Sequence, residues 1–172
     1  MKKKFAGIIE RWPGAVYGHN VIVPDDIVRA FKKNGISRLV VTFNGEVKIH
    51  CAFTSTGDGQ FFIHVNKDVQ KKLGLALGSK IKVEVEEDTS KYGMAMPECF
   101  EVLLEQDPEG SDYFHALTAG KQRSLIYVIG KPKSEAKQLQ KAIVILDFLK
   151  WNKGILDFKL LNEAFKAANR KG

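Results

Sequence analysis

The chain has 172 residues, 44% of them apolar, and 27 basic against 20 acidic side chains give a net charge of +7. This is material for one domain with a subdomain, or for two small ones, and it reads as soluble and globular. Apolar runs such as AIVILDFL (142–149) are too short to span a bilayer, and MKKKFAGIIERW lacks the apolar stretch and cleavage site of a signal peptide, so a cytoplasmic protein without membrane insertion is expected.

In chain order, the first half reads as strand, loop, strand, short helix, strand, and then as the same series again. IVPDDIVRAFKKNGISRLVVTF (22–43) falls on HVNKDVQKKLGLALGSKIKVEV (64–85) without a gap at an offset of 42 residues. At the same offset Phe5, Gly7 and Ile9 fall on Val47, Ile49 and Cys51, so the two units are 5–43 and 47–85. The first helix is expected to start at Pro24, with Asp25 and Asp26 at its positive end and KKNG as its stop. The second is expected to be capped by Asn66 and stopped at Gly74. Two such halves, each too small to bury its apolar face, would cover one another and could close into one pseudo-twofold barrel.

Asn44 and Gly45 lie at the seam between the copies. A two-residue loop there would set Phe43 opposite Glu46 and turn Val47, Ile49, Cys51 and Phe53 away from the core face of Leu39, Val41 and Phe43. A three-residue connection or a bulge is therefore predicted, with Gly45 at positive φ.

From residue 96 the apolar period becomes helical. MPECFEVLLEQD carries Phe100, Leu103 and Leu104 on one face, SDYFHAL starts from Ser111, and TAGKQRSLIYVI starts from Thr118. SEAKQLQKAIVILDFLKWNKG puts Leu139, Ala142, Ile143, Leu146 and Leu149 on a predicted core stripe and stops at Gly154. A last amphipathic stretch would dock Phe158, Leu161 and Phe165.

Taken as an ordered set, VTFNGEVKIHCAF, GDGQFFIHVNKDVQKKLGLALGSKIKVEVEED, YGMAMPECFEVLLEQDPEG and FHALTAGKQRSLIYVIGKPKSEA resemble the YdeI/OmpD-associated, or bacteriocin-protection, family over residues 5 to 165. The resemblance implies an α+β fold: a double-split β-barrel similar to that of AbrB-type transcription factors (1–88), followed by a C-terminal helical subdomain (89–172). It implies a link to envelope stress or antimicrobial peptides, and no established reaction, cofactor or catalytic residue. Where related helical regions carry a Thr-Arg pair, this chain has Ala136 and Lys137, so the resemblance supplies no bidentate arginine there.

Few residues suggest catalysis. Cys99, at a helix start, is the most tempting nucleophile, but Glu98 and Glu101 beside it oppose a thiolate; Cys51 alternates with Ile49 and Phe53 as a small core residue. The two cysteines fit no metal spacing or disulfide framework. His19, His50, His64 and His115 are dispersed without zinc spacing, so no metal is expected and the strand histidines are expected to face solvent. STGDG (55–59) lacks the Walker lysine and reads as a turn.

Charge distribution is more informative. Residues 98–112 carry Glu98, Glu101, Glu105, Asp107, Glu109 and Asp112 without a cation, whereas 118–153 is strongly basic. Lys121 and Arg123 fall in the first turns of one predicted helix, and Lys133 and Lys137 flank the start of the next at Ser134. The helix dipole disfavours cations there unless an anion binds. These four residues are the candidate site for an anionic ligand or acidic partner, the alternative being internal neutralisation by 98–112. Nucleic acid is a candidate partner by fold analogy only, because residues 1–88, with 14 basic and 10 acidic side chains, show no arginine cluster. A non-catalytic binding protein is thus the first expectation. An enzyme with a small-molecule site between barrel and helices is the second.

Overall fold

The computed structural model describes residues 1–11 and 18–170. Among these, seven helices and two antiparallel sheets give an α+β fold of two compact units, Met1–Met94 and Ala95–Gly172. Most of the predicted loop between the first two strands lies outside the described residues. No described helix is long and apolar enough to cross a membrane.

The first unit contains β1 (Lys2–Ile8), β2 (Asn20–Ile22), α1 (Asp25–Lys33), β3 (Leu39–Phe43), β4 (Val47–Cys51), β5 (Thr54–Ser55), β6 (Phe61–His64), α2 (Lys67–Leu73) and β7 (Lys80–Glu87). One sheet has the order β1-β7-β3-β4 and the other β2-β6-β5. Each copy's first strand pairs with the other copy's last, and the like strands β3·β7 and β2·β6 pair with each other. The central pairs carry the repeat directly, since Val21 faces Ile63 and Thr42 faces Glu84, each 42 residues away.

The first strands require a different offset. Phe5 pairs with Val83, and the equivalent position opposite Val41 is held by Ile49, not Val47. Likewise the Glu10–Asn20 bridge corresponds to Thr54–Phe62. Phe5, Gly7 and Ile9 therefore correspond to Ile49, Cys51 and Phe53, two residues beyond the predicted match. Turn geometry explains the slip: the unshifted register would pair Phe43 with Gly45 and leave Asn44 alone to turn the chain, whereas hairpins need at least about two loop residues. A slip of two keeps every side chain on its face.

At the seam Phe43 pairs with Val47 across the three-residue connection Asn44-Gly45-Glu46, as predicted. Asn44 and Gly45 both have positive φ, 51° and 77°. The Asn44 side chain accepts from the Lys82 amide at 2.9 Å, and its own amide donates to the Lys82 carbonyl at 2.8 Å, tying the turn to β7.

Hydrogen bonding among the described residues falls into two sheets, joined only where the chain passes from Ile9, bonded to Ser79, to Glu10, bonded to Asn20. It does not run round a closed barrel as expected. The switch of sheet in each copy interrupts the ladder: β4 ends at Cys51 and β5 begins at Thr54. One core nevertheless lies beneath both sheets and helices, built from the alternate residues Leu39, Val41 and Phe43, Ile81, Val83 and Val85, with Phe31, Ile63, Val65 and Val69. Gly7 is required where β1 crosses β2, because a Cβ there would lie 2.5 Å from the Val21 methyl.

Local signals hold at most helix ends. Asn66 caps α2 through the Val69 amide at 2.9 Å and Gly74 ends it at φ 61°. Pro24, the predicted first residue of α1, is its N-cap, and the helix starts one position later at Asp25. Residues 89–94, grouped with the helices in the sequence reading, lie in the first unit, where Arg38 donates to the Gly93 carbonyl at 2.8 Å.

The second unit contains α3 (Glu98–Gln106), α4 (Pro108–Ala116), α5 (Ala119–Gly130), α6 (Glu135–Trp151) and α7 (Phe158–Asn169), with the other four packed against α6. Its core joins Phe100 and Phe114, in edge-to-face contact with centroids 5.0 Å apart, to Leu125, Ile129, Ile145, Leu149 and Leu161. Two expectations shift. Helix α4 starts at Pro108 because Asp107 caps it, accepting from the Gly110 amide at 2.9 Å, so Ser111 is internal. The buried stripe of α6 is Ala142, Ile145, Leu146 and Leu149, leaving Leu139 and Ile143 exposed at 39% and 42%. The apolar run AIVIL offers overlapping stripes, and packing on several sides selects between them. On α7 Leu161 is buried, while Phe158 is 42% exposed and Phe165 lines a cleft.

Candidate functional site

The four predicted site residues divide into two groups. Thr118 caps α5 through the Lys121 amide at 3.4 Å, placing Lys121 in the first turn as predicted. Lys121 is exposed, but Arg123, two residues on, is half-buried and points to another face of the helix. Lys133 and Lys137 lie beyond the other end of α5, about 15 Å away along its axis at roughly 1.5 Å per residue. Lys121 and Arg123 are therefore not brought together with Lys133 and Lys137.

Internal neutralisation is slight. Lys150 bonds Asp107 at 2.7 Å and holds its carboxyl below the ordinary aspartate range, with help from the Gly110 amide. Among the described residues this is the one ion pair made by the six acids of 98–112, and Lys121, Arg123, Lys133 and Lys137 make none.

Lys137 does enter a concave feature. Between α6 and α7 a cleft of about 400 Å³ is lined by Lys137, Gln140, Lys141, Val144, Phe165 and Asn169, among others. Lys137 and Lys141 are one turn apart on α6, and the Lys141 ammonium lies 5.1 Å from the Phe165 ring centre. The sequence reading missed Lys141, Phe165 and Asn169 as partners of Lys137; the i, i+4 spacing of the two lysines was the available signal.

A second feature lies in the first unit. The His50 Nδ1 donates to Asp88 at 2.8 Å, and the other Asp88 oxygen accepts from the Ser90 hydroxyl at 2.5 Å and the Ser90 amide at 2.9 Å. The Asp88 side chain is only 1% exposed. Burial works against its charge, but the Ser90 and His50 hydrogen bonds prevail and hold the carboxyl below the ordinary aspartate value. His50 thus does not face solvent freely as expected, and neither does His64, whose Nδ1 donates to the His19 carbonyl at 2.9 Å. Because His50 lies in β4 and Asp88 just beyond the end of β7, 38 residues apart, only the sheet register makes them neighbours.

The cysteines are poor nucleophiles. Burial pushes the Cys51 thiol up to about 12. Cys99 does sit in the first turn of α3, yet burial and the nearby Glu135 raise its thiol against the pull of the helix amides. Among the described residues no three histidine, cysteine or carboxylate side chains cluster as metal ligands.

Compared with protein families, residues 5–85 match the model described as Domain of unknown function (DUF1905). Residues 94–147 match the model described as Bacteriocin-protection, YdeI or OmpD-Associated. Together the matches support the YdeI/OmpD-associated family, one segment for each compact unit. No curated protein matches the chain.

Proposed function

From two matched segments of which neither brings an assigned reaction, we propose a non-catalytic binding protein for an anionic ligand or acidic partner, with the accepting surface on the helical unit. The carrying observation is that Lys121, Arg123, Lys133 and Lys137 have no acidic partner among the described residues, although six acids lie in the adjoining segment. Lys121 and Lys137 are each the third residue of a helix, where an unpaired cation costs a few tenths to about 1 kcal/mol that a bound anion would remove. The family description supports a role in bacteriocin protection, and the pseudo-twofold strand pairing supports a split relative of the AbrB-type barrel.

Fluorescence anisotropy with labelled polyglutamate and labelled single-stranded DNA, at low and physiological salt, tests this reading. Binding should weaken with salt and in Lys121→Gln/Arg123→Gln or Lys133→Gln/Lys137→Gln, with melting nearly unchanged because none of the four makes an ion pair among the described residues and even surface pairs contribute only about 0–1 kcal/mol. Absence of binding at low salt, or wild-type affinity in both double variants, overturns it. Preference for DNA would select nucleic acid as the partner.

An enzyme is the second reading, and the His50–Asp88 pair favours it. An ionised Asp88 accepting from Nδ1 leaves Nε2 as the proton-accepting nitrogen, the arrangement a general base requires.

A further inference from the structure

The α6–α7 cleft is charged in a way its own fold does not compensate. Lys137 stands at the positive end of α6, and Lys141, one turn later, adds a like charge on the same face. Such i, i+4 pairs repel by about 0.2–0.5 kcal/mol. The neighbouring acids of α6 and α7 do not pair with them. Glu163 bonds Lys166 at 2.8 Å and Asp147 bonds Lys150 at 3.2 Å. No lining residue is acidic. Gln140 and Asn169 add two carboxamides to the lining, each able to offer N–H donors. The rest of the lining is apolar and partly flat, including Val144 and the Phe165 ring, which lies beside the Lys141 ammonium.

We infer that this cleft binds a small organic anion: a carboxylate or phosphate group held by Lys137, Lys141, Gln140 and Asn169, on a flat apolar body that lies against Phe165 and Val144. The inference rests on the anion-binding reading and narrows it to a small molecule and a place. Its volume, about 400 Å³, lies in the range of small-molecule pockets, roughly 300–1,000 Å³, and the mixture of an apolar wall with a few convergent donors is their usual chemistry. A bare inorganic ion would leave the aromatic wall unused.

Amide-resolved NMR titration of the full chain with phenyl phosphate, benzoate and inorganic phosphate tests this. At least one aromatic anion should give saturable shifts confined to residues 137–144 and 165–169. Lys137→Gln/Lys141→Gln should weaken it by about tenfold or more, as expected for losing charge-assisted hydrogen bonds. Lys137→Arg/Lys141→Arg should retain binding, separating charge from any effect on folding. Phe165→Leu should weaken the aromatic anions and leave inorganic phosphate unchanged. Shifts located elsewhere, no saturation by either aromatic anion, or undiminished affinity in the glutamine pair overturns the inference. If polyglutamate still binds when both aromatic anions fail, the cleft is refuted and the broader reading stands. If the aromatic anions bind here and the polymers bind nowhere, the cleft stands and the macromolecular partner is refuted.

Discussion

Thr42 and Glu84 face each other across the two central strands of the larger sheet and occupy equivalent positions of the repeat, so the pseudo-twofold axis passes between them. The rung runs Lys4, Glu84, Thr42, Lys48 across all four strands. Its two central residues have diverged in chemistry. Glu84 takes Lys2 at 2.6 Å and Lys4 at 2.9 Å, whereas Thr42 is 6% exposed and its Oγ1 has no hydrogen-bond partner among the described residues.

Replacing that hydroxyl should therefore stabilise the protein. An unsatisfied buried hydroxyl costs about 1–3 kcal/mol, and valine keeps the shape and the β-branched preference for a strand. Thr42→Val is expected to raise the denaturant midpoint with an unchanged slope, by up to about 1 kcal/mol once imperfect packing is allowed for. A loss of stability would reveal that the hydroxyl has a partner.

The seam makes a conformational prediction independent of packing. A Cβ on Gly45 would meet nothing within 4 Å, so only its φ of 77° opposes substitution. Gly45→Val should destabilise by about 1–2 kcal/mol, the cost of the left-handed conformation, and Gly45→Asn by clearly less, because asparagine visits that region. Equal losses in urea melts of the two variants would show that something other than backbone conformation governs the turn.

Asp88 predicts an acid-dependent contribution. Its folded-state pKa lies below the ordinary value of 3.8, so the stabilisation it provides is present above that value and is lost as pH falls through the lower, folded one. Asp88→Asn should thus be less stable than wild type at pH 6, with the gap closing below about pH 3.8, the ordinary aspartate value. A gap that stays constant down to acid unfolding would mean that Asp88 acts through shape alone, not charge.

Much of this protein was legible one residue at a time. The 42-residue repeat, the seam between its copies, the Asn66 cap, the Gly74 stop and the Thr118 start depend on side-chain period and on backbone preferences a few residues apart. They survive folding because tertiary structure does not oppose them. Even the seam's extra residue followed from parity alone, since a strand side chain has two faces to choose from.

Three further features required the folded chain. The two-residue slip of the first strands preserves parity, so the apolar pattern could not distinguish it, and it shows in the pairing of β1 with β7 and of β4 with β3. The buried stripe of α6 was ambiguous because a long apolar run satisfies more than one helical face, and the choice belongs to the helices packed around it. His50 with Asp88, and Lys137 with Phe165 and Asn169, come from distant parts of the sequence whose spacing carries no signal. Sequence determines local conformation through short-range sterics and period; which charged groups share a site is decided by register and helix packing, which bring distant residues together.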